Sequence, residues 1–283
     1  MTVITKQIID LIAAALEEDI ADGDITTNAI LGSSSCHGAA EILFKQDGVL
    51  AGMPVFTQVF HSVDPQVTIS PLFAEGEYIN KGTMVATVTG PMSTLLKCER
   101  TALNFLQHLS GIATSTHEYI IAAKPHRLGI LDTRKTTPLL RSLEKYAVRI
   151  AGGTNYRCGL YDMVMIKDNH IKAAGSISQA IEKVLNAYGD KYFITVEVAH
   201  LEQLHDVIKY KINRIMLDNM NNESIHKAIG IIRGCGKHID IEVSGGITPQ
   251  RVKELAPLDI DYVSSGAITN RAVSLDISMN FVK

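Results

Sequence analysis

The chain has 283 residues, of which 46% are hydrophobic and 20% charged, and its formal net charge is −3. A slightly acidic chain with no Lys/Arg run interleaved with aromatic residues does not predict a nucleic-acid-binding protein. No run reaches the ~18 apolar residues of a membrane span, and the widely spaced Cys36, Cys98, Cys158 and Cys235 predict reduced thiols in a cytoplasmic protein.

The first 125 residues predict a small sheet flanked by helices. A helical pattern covers 1–20 and ends before Asp22-Gly23-Asp24. From 39 to 88, four β-like runs alternate with turns: AAEILFK, GVLAG, QVTISPLF and TMVATVTG. These runs predict an antiparallel or mixed sheet with few long helices. Apolar residues then recur at helical spacing over 94–123, where we expect Gly111 to divide the segment into two helices.

After Pro125, six apolar, β-rich runs alternate with helical patterns. The runs are LGILDTRK, MVMIKDNH, YFITVEVAH, RIMLDNM, IDIEVSGG and IDYVSSG; the helical patterns between them include SISQAIEKVLNAY, LEQLHDVIKY, NESIHKAIGIIR and TPQRVKELA. This alternation predicts βα units and a parallel sheet. The number and spacing of the units favour a barrel; a doubly wound open sheet is the alternative, although no GxGxxG follows the first strand.

The carboxyl end of each predicted strand carries polar residues or glycines. They are Thr133, Arg134 and Lys135; Lys167; Glu197; Asp218; Ser244, Gly245 and Gly246; and Ser264, Ser265 and Gly266. Active sites of α/β barrels gather at these strand ends, and the last two turns often hold a phosphate. We therefore expect an active site there, with the glycine turns binding a phosphate.

Cations concentrate between residues 130 and 171, among apolar residues. They are Arg134, Lys135, Arg141, Lys145, Arg149, Arg157 and Lys167. Lys and Arg rarely lie beside buried segments without an anionic partner. The segment therefore predicts a site for a compact polyanion, in contrast to the acidic balance of the whole chain.

Some individual residues have more than one interpretation. Lys167 fits a Schiff-base nucleophile, a fixed positive charge or a surface residue. Glu197 and Asp218 fit helix caps or Arg partners, or a pair that binds ribose hydroxyls and Mg²⁺. The sequence around Arg100 favours a surface residue that forms an ion pair three or four positions away on a helix. No histidine spacing predicts zinc.

The chain resembles the quinolinate phosphoribosyltransferase family over residues 10–275. The motifs that carry the resemblance are DGDITT (22–27), GVLAG (48–52), ERTALNFLQHLSGIAT (99–114), LDTRKTTP (131–138), AGGTNYRCGLYDMVMIKDNHI (151–171), EV (197–198), MLDN (216–219), EVSGGI (242–247) and SSGAIT (264–269). TRKTTP and IKDNHI are the most specific of them.

The resemblance implies an α/β fold in which an incomplete α/β barrel follows an N-terminal open α/β sandwich. The sandwich would cover residues 1–111, with 272–283 returning to it, and the barrel would cover 112–271. The resemblance also implies a homodimer, or a higher oligomer, in which Arg100 enters the partner's active site. That role replaces the surface interpretation of Arg100.

The resemblance assigns the reaction and the site. Phosphoribosyl would pass from phosphoribosyl pyrophosphate to quinolinate with decarboxylation, giving nicotinate mononucleotide, pyrophosphate and CO₂ for NAD biosynthesis. Catalytic roles would fall on Lys135, Lys167, Glu197 and Asp218. The carboxylates and phosphates would contact Arg100, Thr133, Arg134, Lys135, Arg157 and Lys167; Glu197 and Asp218 would contact the ribose and Mg²⁺; and Ser244, Gly245, Gly246, Ser265, Gly266 and Ala267 would hold the 5′-phosphate.

One position departs from the family pattern. The family usually reads Asn-His-Arg where this chain has Asn155-Tyr156-Arg157. Tyr156 can donate a hydrogen bond to a carboxylate of the base but carries no positive charge near neutral pH. Two other enzymes stay open as alternatives: a paralogous phosphoribosyltransferase for another carboxylated ring, as in molybdenum operons, and a Schiff-base aldolase that uses Lys167.

Overall fold

The computed structural model describes residues 3–32 and 36–282. They divide into two compact units, one formed by the described parts of Met1–His117, Thr137–Gly152 and Arg271–Lys283, the other by Glu118–Thr136 and Gly153–Asn270. None of the helices in the described ranges is long and apolar enough to cross a membrane. All four cysteines are free thiols.

The strands are β1 (His37–Phe44), β2 (Gly48–Val49), β3 (Thr68–Pro71), β4 (Tyr78–Ile79), β5 (Met84–Pro91), β6 (Gly129–Leu131), β7 (Val164–Ile166), β8 (Ile194–Val198), β9 (Arg214–Asp218), β10 (Asp240–Ser244), β11 (Tyr262–Ser264) and β12 (Ile277–Val282). The helices are α1 (Lys6–Ile20), α2 (Ile25–Leu31), α3 (Met53–Val63), α4 (Met92–Ala123), α5 (Arg141–Ile150), α6 (Asp168–Ala174), α7 (Ile177–Tyr188), α8 (Leu204–Val207), α9 (Asn222–Arg233), α10 (Pro249–Leu255) and α11 (Ala267–Asn270). A 3₁₀ turn covers Leu201–Gln203.

The first unit contains an antiparallel sheet in the order β12–β1–β5–β3. Ala40, Ile42 and Phe44 alternate along β1 and are fully buried, so one face of the strand lies in the core. The predicted antiparallel sheet is confirmed, although the GVLAG run contributes β2, which pairs with β4 in a separate two-stranded sheet. The first predicted helix is confirmed over Lys6–Ile20 and begins after its cap Thr5, so residues 3–5 are not helical. Residues 1 and 2 of the predicted 1–20 helix lie outside the described residues.

The expectation of few long helices between 39 and 88 is confirmed, since α3 is the one helix that the structure describes there. Val55, Phe56, Val59 and Phe60 recur at helical spacing and are fully buried, which stabilises an 11-residue helix. The Glu75 carboxylate accepts hydrogen bonds from the first backbone N–H groups of this helix, including that of Met53 at 2.8 Å. That distant cap could not be read from the local sequence.

Helix α4 runs unbroken through Gly111, so the predicted division there is wrong. A methyl group at Gly111 would overlap the carbonyl oxygen of Val273 and lie 2.9 Å from its carbon. Gly111 therefore allows the chain that leads into β12 to pack closely against the helix. The helix forms in spite of the low helix propensity of glycine.

Residues 137–152, which include α5, group with the first unit, whereas the sequence-based division placed them within 112–271. Two contacts explain the grouping. The buried Glu144 carboxylate lies 3.0 Å from His108 Nε2, and the Tyr146 hydroxyl donates to Glu75 at 2.5 Å. The β6–β7 connection thus leaves the parallel-sheet unit and re-enters it at Gly153.

The second unit contains a six-stranded parallel sheet in the order β6–β11–β10–β9–β8–β7. Strands β7 to β11 are neighbours in chain order, and β6 lies beside β11, so the strands wind in one direction. A doubly wound sheet would run outward both ways from its first strand, and that alternative is wrong. In the described residues β6 and β7 are edge strands, and Thr154 bridges to Leu131 beside β6.

The predicted helices between these strands are confirmed except at 201–210, where a 3₁₀ turn and the four-residue α8 replace one helix. Three of them begin at side-chain caps. Ser176, Asn221 and Thr248 accept hydrogen bonds from the backbone N–H groups at the starts of α7, α9 and α10. Each cap sets where the chain leaves a strand-end loop and turns into a helix.

The close approach at Gly111 predicts a stability difference between two helical glycines. Gly111→Ala should lower the free energy of unfolding by roughly 2 kcal/mol, because the added methyl group overlaps backbone. Gly230→Ala in α9 is the matched control: nothing lies within 4 Å of its Cβ position, so it should stabilise by about 0.5–1 kcal/mol. Urea unfolding of both variants measures the difference; equal effects would contradict the close-approach explanation.

Candidate active site

The strand ends of the second unit bring the predicted polar residues into adjacent positions. Ser244 at the end of β10 is the register partner of Asp218 in β9 and of Ser264 in β11. Ser264 is in turn the partner of Leu131 in β6, directly before the segment that carries Thr133. The sequence prediction that these residues share one edge of the sheet is therefore confirmed.

The buried carboxylate of Asp132 joins two of the cation-bearing segments. One of its oxygens accepts from Asn155 Nδ2 at 2.7 Å, and the other accepts from the Tyr156 backbone N–H at 2.8 Å. Asp132 is fully buried and directly precedes the loop with Arg134, while Tyr156 directly precedes Arg157. Hydrogen bonds to a buried carboxylate are among the stronger ones in proteins, so this junction fixes the spacing of the two cationic segments.

Arg134 and Arg157 lie close enough to interact unfavourably. Burial lowers the pKa of the Arg157 guanidinium, and the charge of Arg134 lowers it further. Arg157 is 7% exposed, whereas Arg134 and Lys135 are exposed. Like charges held together in this way favour an anion between them, which agrees with the predicted polyanion site.

Lys167 and Glu197 form an ion pair between the ends of β7 and β8. Lys167 Nζ lies 2.8 Å from Glu197 Oε2, with the two side chains 41% and 14% exposed. The Lys167 backbone N–H donates to His170 Nδ1 at 2.9 Å, which holds the lysine at the start of α6. A lysine paired in this way acts as a fixed positive charge, the interpretation that fits a transferase better than an aldolase.

The loops after β9 and β10 are interlocked by Asn219. Its backbone N–H donates to the Ser244 carbonyl at 2.9 Å, and its Nδ2 donates to Asp218 Oδ2 at 2.7 Å. Asn219 has a φ of +55° and Gly245 one of +95°, and a methyl group at Gly245 would overlap the Asn219 side chain. Glycine is required at 245 for both reasons.

The turn after β11 packs against the loop after β6. A methyl group at Gly266 would lie 2.5 Å from Lys135 Cδ, and the Thr269 hydroxyl donates to the Lys135 carbonyl at 2.7 Å. Ser265 is buried, and its backbone N–H donates to the Leu131 carbonyl at 3.1 Å. The turn thus supports the backbone of Lys135. Ala267 begins the short α11 beside it.

Tyr156 is packed among the side chains between the strands. It is 6% exposed, its hydroxyl donates to Thr195 Oγ1 at 2.9 Å, and its ring lies 5.1 Å from the Arg214 guanidinium. Burial and the nearby Glu242 carboxylate raise the pKa of the Tyr156 hydroxyl. Its contact with a base, which the resemblance implies, stays a prediction.

Arg214 fills the interior at the other end of the same strands, since it is the first residue of β9. It lies 3.2 Å from Asp240 and 3.5 Å from Glu242, and its guanidinium stacks on Tyr262 at 4.1 Å. Burial raises the pKa of Glu242, although Arg214 and other hydrogen-bond donors oppose that shift. Arg214 and Glu242 therefore belong to a buried charged cluster between the strands.

The remaining predicted cations belong to the first unit. Arg100 is exposed on α4, and Arg141, Lys145 and Arg149 lie on α5. The cation-rich sequence segment is thus divided between the two units. Within residues 3–32 and 36–282, no three or more His, Cys, Asp or Glu side chains form a group that could hold a metal ion.

Sequence reasoning missed Asp132, Asn155 and Asn219. Asp132 and Asn219 each lie beside a residue that the sequence did single out at a strand end, which was the available signal. Their roles come from hydrogen bonds that span 23 residues in the case of Asp132 and Asn155, and such pairings have no local pattern.

The comparisons with known proteins identify the family. The model of the quinolinate phosphoribosyl transferase C-terminal domain matches residues 112–280, and that of the N-terminal domain matches 24–110. The chain belongs to the quinolinate phosphoribosyl transferase family.

Individual relatives agree over almost the whole chain. A probable nicotinate-nucleotide pyrophosphorylase (carboxylating) from Synechocystis sp. is 40% identical, covering 95% of this chain and 90% of the relative. One from Bacillus subtilis is 41% identical, with 93% and 89% covered. The crystal structure of NadC from Streptococcus pyogenes has a TM-score of 0.93 and 42% identity and covers 100% of both chains.

We predict that the Asp132–Asn155 pair needs one carboxylate, which can stand at either of the two positions. Asp132→Asn should cost about 1–3 kcal/mol of stability and raise the KM for the anionic substrates, because one buried donor loses its carboxylate partner. Asn155→Asp alone should be worse, since two carboxylates would face each other. The double variant restores one carboxylate and one amide, and should recover most of the loss.

Thermal unfolding and steady-state kinetics on the three variants test this prediction. Additive losses in the double variant would contradict a direct role of the junction.

Proposed function

We propose that this chain catalyses phosphoribosyl transfer from phosphoribosyl pyrophosphate to quinolinate, with decarboxylation, in NAD biosynthesis. The products are nicotinate mononucleotide, pyrophosphate and CO₂. Membership of the family supports the reaction, and the observation that carries it to this site is the set of cations and glycine turns on adjacent strand ends. We also propose that the protein works in the cytoplasm.

The cations suit a dianionic base and a polyphosphate donor. Arg134, Lys135, Arg157 and Lys167 supply positive charge for the carboxylates of quinolinate and the phosphates of the donor. The pyridine nitrogen attacks the anomeric carbon as pyrophosphate leaves, so the protein needs no nucleophile of its own. Positioning and charge stabilisation carry the rate enhancement. Decarboxylation follows: the C2–carboxylate bond breaks to release CO₂, the positive ring nitrogen stabilises the electron pair left on C2, and C2 takes up a proton from water.

Glu197 and Asp218 suit the ribose and Mg²⁺. They lie on the neighbouring strands β8 and β9, and both present carboxylate oxygens, which Mg²⁺ prefers. Sites of this kind use one or two carboxylates and complete the coordination with substrate phosphates and water, so two acidic groups suffice. Bound Mg²⁺ would neutralise charge on the pyrophosphate group. Lys167 orients Glu197 through their ion pair.

The glycine turns suit the 5′-phosphate. Gly245 and Gly246 have φ values of +95° and +59°, and Gly266 leaves room for the stem of Lys135. Turns of this conformation present backbone N–H groups to anions, and the start of α10 follows the first of them. The Ser244 side chain, at the end of β10, is a further candidate donor.

The assay that tests the reaction measures pyrophosphate and CO₂ release from quinolinate plus phosphoribosyl pyrophosphate. Equal yields of both products support the proposal. Turnover of another carboxylated ring with no use of quinolinate would favour the paralogous transferase. Borohydride trapping of a substrate on Lys167 would favour the aldolase.

We further propose that two subunits share each active site through Arg100. The Arg100 side chain is exposed on α4 in the single subunit. A side chain that enters the active site of a partner subunit has to be exposed in this way. Arg100→Ala and Lys167→Ala should each abolish most activity. A 1:1 mixture of the two should regain about a quarter of wild-type activity, because random pairing makes half of the dimers mixed and each mixed dimer has one intact site of two. Unmixed variants are the control, and mixed dimers without recovery would show that Arg100 serves its own chain.

Asp218 should act on the donor more than on the base. Asp218→Asn keeps the size of the side chain but loses its charge, so the KM for the donor and the Mg²⁺ requirement should rise at least tenfold. Quinolinate binding to the free enzyme, measured by calorimetry, should stay nearly unchanged. Glu223→Gln removes an exposed carboxylate that pairs with Lys227 and is the matched control. Weakened quinolinate binding with normal donor binding would reverse the assignment.

A further inference from the structure

Two buried hydroxyl groups converge on one backbone carbonyl beside the glycine turns. The Tyr119 hydroxyl donates to the Ile247 carbonyl oxygen at 3.0 Å, and Ser265 Oγ lies 3.0 Å from the same oxygen. Ser265 Oγ is also 3.3 Å from the Tyr119 hydroxyl, and the two residues are 4% and 5% exposed. Tyr119 belongs to the part of α4 that lies in the second unit.

We propose that Tyr119 and Ser265 form a hydroxyl clamp that positions both glycine turns for the 5′-phosphate of the donor. The inference rests on the proposed function, in which these turns hold that phosphate. Tyr119 is a positioning residue, because its hydroxyl contacts the Ile247 carbonyl and reaches the phosphate site through the backbone.

The place of Ile247 in the chain gives the clamp its effect. Ile247 directly follows Gly245 and Gly246, whose positive φ values mark a backbone with few steric restraints of its own. A carbonyl fixed by two donors limits the rotation of the peptide groups before it. Ser265 directly precedes Gly266, so the same clamp fixes the second turn relative to the first.

The clamp also changes the role of Ser265. The resemblance implies that this serine holds the phosphate, yet its hydroxyl points to Ile247 and its backbone N–H to Leu131. Both groups already have partners within the protein. The direct phosphate donors are then the backbone N–H groups of the glycine turns, and a preorganised set of donors binds an anion without the entropy loss of ordering a loop.

Tyr119→Phe tests the clamp, because it removes the hydroxyl and keeps the ring. The KM for phosphoribosyl pyrophosphate should rise about fivefold, the usual effect of one neutral hydrogen bond. The inhibition constant of inorganic phosphate, used as a probe of the turns, should rise by a similar factor. The KM for quinolinate should stay within twofold, and the effects of Tyr119→Phe and Ser265→Ala should be non-additive in the double variant.

Tyr210→Phe is the matched control. Its hydroxyl donates to Glu182 at 2.7 Å in the same unit but at an exposed position, so neither substrate constant should change. A lower melting temperature for Tyr119→Phe with unchanged constants for donor and phosphate would overturn the clamp, as that result shows a structural role alone.

Gly246→Ala separates this inference from the proposed function. Nothing lies within 4 Å of its Cβ position, so the variant perturbs the turn through its φ of +59° and not through a clash. If Gly246→Ala weakens the donor and Tyr119→Phe does not, the clamp is wrong and the phosphate assignment stands. If Gly246→Ala leaves the binding of donor and phosphate unchanged, the phosphate assignment fails, and the clamp fails with it.

Discussion

The repulsion between cations is the constraint that the active-site unit must satisfy. Burial lowers the pKa of the Arg157 guanidinium, and the charge of Arg134 lowers it further. Without a ligand, the repulsion between the two cations opposes the folded arrangement. Contacts that fix the backbone of the cationic segments act against it. The Asp132 junction ties the two segments together, and the turn at Gly266 supports Lys135 from the neighbouring strand. Binding of an anion would therefore offset the repulsion between these cations.

The two ends of the parallel strands use charge in opposite ways. At the carboxyl ends, Arg134 and Lys135 are exposed, so substrates can reach them. At the amino ends, Arg214 lies within 3.5 Å of both Asp240 and Glu242 and against aromatic rings. That buried cation pairs with two carboxylates of the protein itself, although its Nε has no hydrogen-bond partner among the described residues. The contrast explains why a simple count of charged residues along the chain does not locate the site.

The strand periodicity and the strand-end residues could be predicted because both are local properties of the sequence. Each βα unit carries its own apolar run and helix pattern, and register then brings Ser244 between Asp218 and Ser264. The interruption at 137–152 could not be predicted, since it depends on contacts of Glu144 and Tyr146 with distant partners. Gly111 was misjudged for the same reason: the sequence shows a helix-weakening residue and not the chain that packs on it.

The strand-end positions of the candidate site residues could be predicted, but the hydrogen bonds that support them could not. Charged residues at the ends of predicted strands can be recognised in the sequence by their type: Arg134, Lys135, Lys167, Glu197 and Asp218. Their supporting bonds run from residues that look ordinary, such as a tyrosine late in a long helix. A support is recognised by where its hydrogen bond goes, and that information exists only once the chain has folded.

The interlock of Asn219 with Gly245 has a consequence for how such enzymes can diverge. A side chain larger than hydrogen at 245 is blocked while Asn219 keeps its place, and Asn219 in turn holds the Ser244 carbonyl. A substitution at either position would disturb the other loop. The two loops therefore form one structural unit, and a laboratory graft of new specificity onto this scaffold has to exchange both together.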